Sequence, residues 1–280
     1  MSSSILNNIS SIQAQNQMSL NSSALQTVLL QLSSGSRLNS GADDPAGLAI
    51  ADGLNANMTA LTQSAQNASD GVGMLQVADG ALSEVTTLLN SAVSLATEAS
   101  NGTMSSSQEI SLDNEFTSIK AEITRIGSST TYNGGPVFSG IPTEVFISDG
   151  TSSGSSYINS TVGVLSASSV GFSGTPVDLS STALTSVSGA EAALTSLTTS
   201  IQNVANDRAS IGASMIRLQS ATNVVNTQSQ NITNAYDNVA SANIAQDVAE
   251  MTKYNILQSS SMAALQQSNT SQQAILKLFQ

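Results

Sequence analysis

Residues 54–96 read LNANMTALTQSAQNASDGVGMLQVADGALSEVTTLLNSAVSLA, and within them Leu54, Leu61, Ala68, Leu75, Leu82, Leu89 and Ala96 recur every seven positions. An apolar residue at each seventh place keeps one stripe on one side of a slightly underwound helix, the pattern of a coiled coil. Met58, Ala65, Val72 and Val93 supply the second seam row, with Asp79 and Thr86 as its polar interruptions. The same repeat returns in the second half at Leu197, Val204, Ile211, Leu218, Val225, Ile232 and Val239, where Leu194, Ile201, Met215 and Tyr236 fill alternate positions. Two arms of about 45 residues each predict helices roughly 65 Å long.

Outward from these arms the chain stays helical. Leu112, Phe116, Ile119, Ile123 and Ile126 step by four and three, a shorter amphipathic helix. Asp44 before Pro45 reads as an N-cap with Pro at the first helical position. Ser106-x-x-Glu109 and Ser188-x-x-Glu191 are capping-box patterns, and Gly102 and Gly127 mark helix ends. Between about 132 and 187 the periodicity changes. Tyr132-Asn133-Gly134-Gly135-Pro136 is turn chemistry, Thr143 to Ser148 reads as a strand, and Val162, Val164 and Leu165 as a second one. The expected fold is therefore mainly α: a long antiparallel coiled-coil helical bundle with a small central β-hairpin region. Residues 1–42 with 238–280 form a terminal-helix domain, and 43–237 a coiled-coil domain containing the β excursion.

Composition supports thin helices over a broad core. The 280 residues include 9% charged and 3% aromatic side chains and no Trp, His or Cys. Seven basic against nineteen acidic residues leave a net charge of −12, and only Arg37 is basic before Lys120, so a nucleic-acid partner is not expected. No apolar run reaches the ~18 residues that span a bilayer, so no membrane partner is expected either. The start, Met1-Ser2-Ser3-Ser4-Ile5, has no basic and apolar leader pattern. Without His or Cys, the usual general base, thiol nucleophile and most zinc sites are missing, and no catalytic, cofactor or metal site is expected. The Asp43-Asp44 carboxylate pair reads as capping, and Gly71-Val72-Gly73 lies in a helical arm with no strand before it, so it is no phosphate loop. Its glycines suit a close helix approach.

The ends carry the strongest candidate site. Ile5, Ile9, Ile12, Leu25, Leu29 and Leu32 lie on one apolar stripe, and Ile244, Val248, Met251, Leu257, Leu265, Leu276, Leu278 and Phe279 on another. Chain ends are ordinarily polar and frayed. Two helices covering only each other leave much of this surface bare, so neighbouring copies are its simplest cover. Arg37 stands isolated between helical regions, where an intersubunit or interdomain ion pair competes with a plain solvated charge.

Leu32-Ser33-Ser34-Gly35-Ser36-Arg37-Leu38-Asn39-Ser40 with Asp43-Asp44-Pro45-Ala46-Gly47-Leu48-Ala49-Ile50 resembles the N-terminal signature of bacterial flagellins. Ala242 to Lys253, then Ile256-Leu257-Gln258 and the ending Gln273 to Leu278, resembles their C-terminal signature. Asn243 and Asp247 stand where that motif usually has Asp and Glu, and Asp237-Asn238-Val239 replaces an upstream Ser-Arg-Ile. The resemblance implies a subunit that polymerises with copies of itself into an extracellular flagellar filament, its paired terminal helices in the inner tube and Arg37 and Asp43 at the polymerisation interface. It implies export unfolded through the type III apparatus, an export chaperone on the C-terminal segment, and cap and junction proteins as partners. Any outer variable domain is nearly absent here. A hook–filament junction protein of the same superfamily and a surface coiled-coil adhesin are the alternatives; the double signature and the lack of an anchor argue against them. The resemblance also places Ser91 and Ser94, on the helix of Leu89, where well-detected flagellins present an Arg and a Glu to a Toll-like innate receptor, so weak binding to that receptor is expected. Sequons at Asn101 and Asn159 read as chance matches.

Overall fold

The computed structural model describes residues 8–150, 157–172 and 175–277, with the side chains of 275–277 left aside. Its elements are α1 (Ile9–Ser34), α2 (Pro45–Ala99), α3 (Ser106–Ser129), β1 (Thr131–Tyr132), β2 (Gly135–Pro136), β3 (Pro142–Phe146), β4 (Tyr157–Thr161), α4 (Val187–Ala240) and α5 (Ile244–Lys277). Among the described residues the chain is mainly α-helical, as the periodicity predicts, and its central β region comprises two small antiparallel hairpins. It divides into two compact units, residues 1–56 with 231–280, and residues 57–230.

In the larger unit α2 and α4 run antiparallel: Gly71 lies against Leu218, and Asp79 holds Arg208. The predicted primary rows form the core. Leu61, Ala68, Leu75, Leu82, Leu89 and Ala96 of α2 and Leu197, Val204, Ile211, Leu218 and Val225 of α4 are buried. The second row differs from the prediction. Ala65, Val72 and Val93 are only half-buried, whereas Ser64, Gly71, Ala78, Val85, Ala92 and Ala99 are buried. The row three residues after each leucine faces inward, and because its side chains are small, the packed backbones come close. On α4 the matching inner residues are Ala193, Ser200 and Asp207, while Leu194, Ile201 and Met215 flank the core half-buried. Asp79, placed in the seam by the sequence, is half-buried at its edge, where its carboxylate accepts a 2.8 Å hydrogen bond from Arg208 Nε and holds that guanidinium above its ordinary pKa range.

α3 adds Phe116, Ile123 and Ile126 to the same core and pins the returning loop. Asp113 accepts the Leu184 N–H at 2.7 Å, Lys120 donates to the Thr182 carbonyl at 2.7 Å, and Thr124 accepts the Ala167 N–H at 3.0 Å. Its N-cap is one residue earlier than expected: the Ser105 N–H donates to Gln108 Oε1 at 2.9 Å. The cap of α4 is Ser186, two residues earlier than expected, whose Oγ accepts the Gly189 N–H, because the helix already begins at Val187. Gly127 does not end α3. It is buried inside the helix, and a β-carbon there would stand 1.9 Å from the Leu165 carbonyl oxygen.

Asn133 (φ 49°) and Gly134 (φ 79°) form a two-residue hairpin turn between β1 and β2, as their sequence predicts. β3 falls on the expected strand but starts one residue before Thr143 and ends at Phe146, short of Ser148, and it pairs with β4 from Pro142↔Thr161 to Phe146↔Tyr157. The second strand is thus the polar Tyr157–Thr161, not Val162 to Leu165. Val162 and Leu165 instead drop into the core just beyond the strand. Gly71 fulfils its expected role as a point of close approach, with Val145 of β3 and Leu218 of α4 closing over it. The end of β3 is tied down by Ser64, whose Oγ donates to the Ser148 carbonyl at 2.8 Å and accepts the Ser148 N–H at 3.0 Å. Asp207 is fully buried, and its Oδ2 accepts the Phe172 N–H at 2.9 Å.

Candidate functional site

The smaller unit is built on α1 and α5. α1 opens with Asn8, whose side chain accepts the Ser11 N–H, and closes at Gly35 in the left-handed conformation (φ 68°). α5 opens under Asn243, whose Oδ1 accepts the Gln246 N–H at 3.3 Å, so the departure from the usual motif residue still leaves a working cap.

The two helices run antiparallel along a heptad seam. Met18, Leu25, Val28 and Leu32 on α1 face Met251, Tyr254 and Leu265 on α5, all at least half-buried. Polar pairs interrupt this seam. Asn8 Oδ1 accepts from Ser268 Oγ at 3.0 Å, and Asn21 Nδ2 donates to Ser261 Oγ at 3.3 Å. Such layers are matched only in one alignment of the helices, which fixes their register.

The signature segment 35–44 joins this pair to the end of α4. Helix C-termini leave carbonyls without partners. Here the Arg37 N–H and Ser36 Oγ both donate to the Ala240 carbonyl, at 2.7 and 3.1 Å, and Arg37 Nη2 donates to the Val239 carbonyl at 2.8 Å. A cation at the negative end of a helix is favourable. Within the chain Arg37 therefore caps a helix and takes part in neither of the two ion pairs of the described residues; the intersubunit pair is a matter between copies, which a single chain does not test. Leu38 is buried with Ala51 and Ala240. Asp43 closes the following turn by accepting the Asn39 and Ser40 N–H groups, and Asp44 caps α2 by accepting those of Ala46 and Gly47.

The terminal-stripe residues fall into two sets. Leu25, Leu32, Met251 and Leu265 lie half-buried in the intrachain seam. Ile9 (67% exposed), Ile12, Leu29, Ile244, Val248 and Leu257 face outward. Leu20 and Leu30 lie off the predicted stripe, yet each is 62% exposed; their phase becomes readable only once the seam register is known. Ile5, Leu278 and Phe279 lie outside the described residues, as does the side chain of Leu276. The outward face of α5 also carries an open groove of about 500 Å³ lined by Thr252, Asn255, Ile256, Ser259, Ser260 and Ala263.

In the larger unit, Ser91 and Ser94 are exposed on α2, with Ser91 Oγ donating to the Thr87 carbonyl. Leu89 is fully buried in the core and offers nothing to a partner. Among the described residues no helix is long and apolar enough to cross a membrane.

A family model for the bacterial flagellin N-terminal helical region matches residues 5–143, and one for the bacterial flagellin C-terminal helical region matches residues 194–279. Similar proteins include a flagellin of Halalkalibacterium halodurans, 30% identical over 98% of both chains, and one of Listeria monocytogenes, 30% identical over 97% of both. The flagellin of Bacillus subtilis is 29% identical over 98% of this chain and 99% of its own. The crystal structure of Bacillus cereus flagellin overlaps 61% of this chain and 94% of its own, at 27% identity and a TM-score of 0.47.

Proposed function

Because this chain belongs to the bacterial flagellin family and is a structural subunit of the extracellular flagellar filament, we propose that copies polymerise through the apolar residues that α1 and α5 leave uncovered. The observation that carries this reading is the division of the terminal apolar residues. One set holds the helix pair together, and the other, Ile9, Ile12, Leu29, Ile244, Val248 and Leu257, faces out. Burying one Leu or Ile is worth roughly 1.5–3 kcal/mol, so a few such residues per contact suffice to drive association. In this reading residues 1–42 and 238–280 are the terminal-helix domain that polymerises and 43–237 the coiled-coil domain. Neither a junction protein nor an adhesin is favoured by relatives that match along the whole chain as flagellins.

Removing residues 1–31 and 240–280 should leave a soluble helical monomer that forms no filament under electron microscopy. The full-length chain carrying Ile12→Asp and Val248→Asp should remain helical and also fail to assemble, since neither side chain is needed inside the seam. Robust filaments from either chain would sink the assignment.

Before assembly the same outward face needs cover. The cytoplasmic partner proposed for it is an export chaperone that takes α5 by its exposed Ile244, Val248, Ile256 and Leu257, followed by the type III apparatus and, outside, the cap and junction proteins. Pull-down from cells should lose the chaperone when α5 is deleted; unchanged recovery would place its site elsewhere.

Weak binding to the innate flagellin receptor rests on Ser91 and Ser94, since a serine offers neither the long stem nor the five donors of an arginine. Ser91→Arg with Ser94→Glu should leave assembly intact and raise receptor signalling by monomers. Strong signalling from the unmodified monomer would overturn this reading.

A further inference from the structure

The sequence contains two Asn-Gly steps, Asn101-Gly102 and Asn133-Gly134, and the fold treats them oppositely. Asn101 sits exposed in the turn between α2 and α3. Its side-chain Oδ1 accepts two hydrogen bonds from Thr103, from Oγ1 at 3.0 Å and from the backbone N–H at 3.4 Å. Gly102 beside it has open space around its Cα, with nothing within 4 Å of where a β-carbon would stand. Asn133 and Gly134, by contrast, are both locked at positive φ in a two-residue turn, with Tyr132 and Gly135 paired on either side.

From this contrast we propose that Asn101 is a site of spontaneous deamidation. The nitrogen of Gly102 attacks the Asn101 side-chain carbonyl carbon. The new N–C bond closes a five-membered succinimide, and the Cγ–Nδ2 bond breaks. Ammonia leaves carrying the proton that Gly102 gives up. Water then adds to one carbonyl of the ring and opens it, leaving aspartate or isoaspartate at position 101. In the first step negative charge develops on Oδ1, the atom that both Thr103 donors already hold. Donors placed where charge develops lower such a barrier, and in an exposed turn one of them is worth the modest net value of an ordinary hydrogen bond. Ring closure also requires the backbone after the asparagine to rotate. A bare glycine in an open turn permits this, while the paired hairpin resists it.

The product matters to the turn that carries it. Asn101 forms its corner: its N–H donates to the Glu98 carbonyl, and its own carbonyl accepts the Met104 N–H. Deamidation puts a new negative charge just past the C-terminal end of α2, near Glu98 and the negative pole of the helix, where a carboxylate is disfavoured. Isoaspartate further adds a methylene to the backbone at that corner.

The test is peptide mapping by mass spectrometry on the full-length chain aged at mildly alkaline pH. Asn101 should deamidate several times faster than Asn133. Thr103→Val should slow Asn101 about fivefold, the factor one ordinary hydrogen bond supplies, without changing Asn133. Thr103→Ser, which restores the hydroxyl donor, should recover the rate. In denaturant the two sites should converge. Equal rates in the folded chain, an unchanged rate at Asn101 in Thr103→Val, or a difference that persists in denaturant would each overturn the proposal.

Discussion

Gly127→Ala should destabilise the chain by about 3 kcal/mol or more, the upper end of what overpacking costs. The expected sign is opposite to that of the same change in an exposed helix, where alanine is the better helix former by about 1 kcal/mol. The new β-carbon would lie 1.9 Å from the Leu165 carbonyl oxygen and 2.8 Å from its carbon, so the clash is with backbone and no side-chain rotation relieves it. Nor can the loop easily retreat. Leu165 is buried, the Ala167 N–H is held by Thr124, and the Val162 carbonyl accepts the Gly140 N–H. Gly80, exposed in α2 with nothing near its missing side chain, is the internal control. Gly80→Ala should stabilise by roughly 0.5–1 kcal/mol. Urea denaturation of both variants decides the matter: if Gly127→Ala unfolds at the same midpoint as the parent, the loop does not press on α3 in solution.

What was legible in the sequence followed from repetition. A leucine row seven residues apart identifies both long helices and the inner face of each, because only burial accounts for so regular a stripe. The second row is hidden in the sequence because its members are small. Ser64, Gly71, Ala78 and Ala92 give no hydrophobic signal, so bulkier neighbours such as Val72 and Val93 drew the assignment, although they only flank the core. The misplacement of β4 has the same origin. Tyr157–Thr161 is polar and follows a Ser/Gly-rich stretch, whereas Val162 and Leu165 have strand-like composition but serve as core plugs. Asp79 looked like a flaw in the seam and is an edge residue paired to Arg208. At the candidate site, the sequence located the apolar ends but could not divide them. Whether Leu25 or Leu29 faces α5 depends on the register of two helices more than 200 positions apart, which is set by pairs such as Asn21 with Ser261. Arg37 stands out by its isolation, yet its partner within the chain is a carbonyl at the end of α4, a group that every residue carries and no composition reveals.

Leu82→Ala should cost about 2–5 kcal/mol, the range for deleting a buried leucine and leaving a cavity. Leu82 has no exposed surface and sits in the middle of the α2 row, where long helices on either side resist collapse into the gap. Two companion substitutions test which second row is inside. Ala92 is also fully buried, so Ala92→Leu forces extra carbons between packed backbones and should cost about 1–3 kcal/mol. Val93 is half-buried beside it, and Val93→Ala removes surface that is already partly wet, so its cost should stay near 1 kcal/mol. The expected order of destabilisation is Leu82→Ala, then Ala92→Leu, then Val93→Ala, read from urea midpoints of monomer kept below its assembly concentration. The reverse order of the last two would mean that Val93 faces the core and Ala92 its edge, and that α2 is rotated relative to the packing described above.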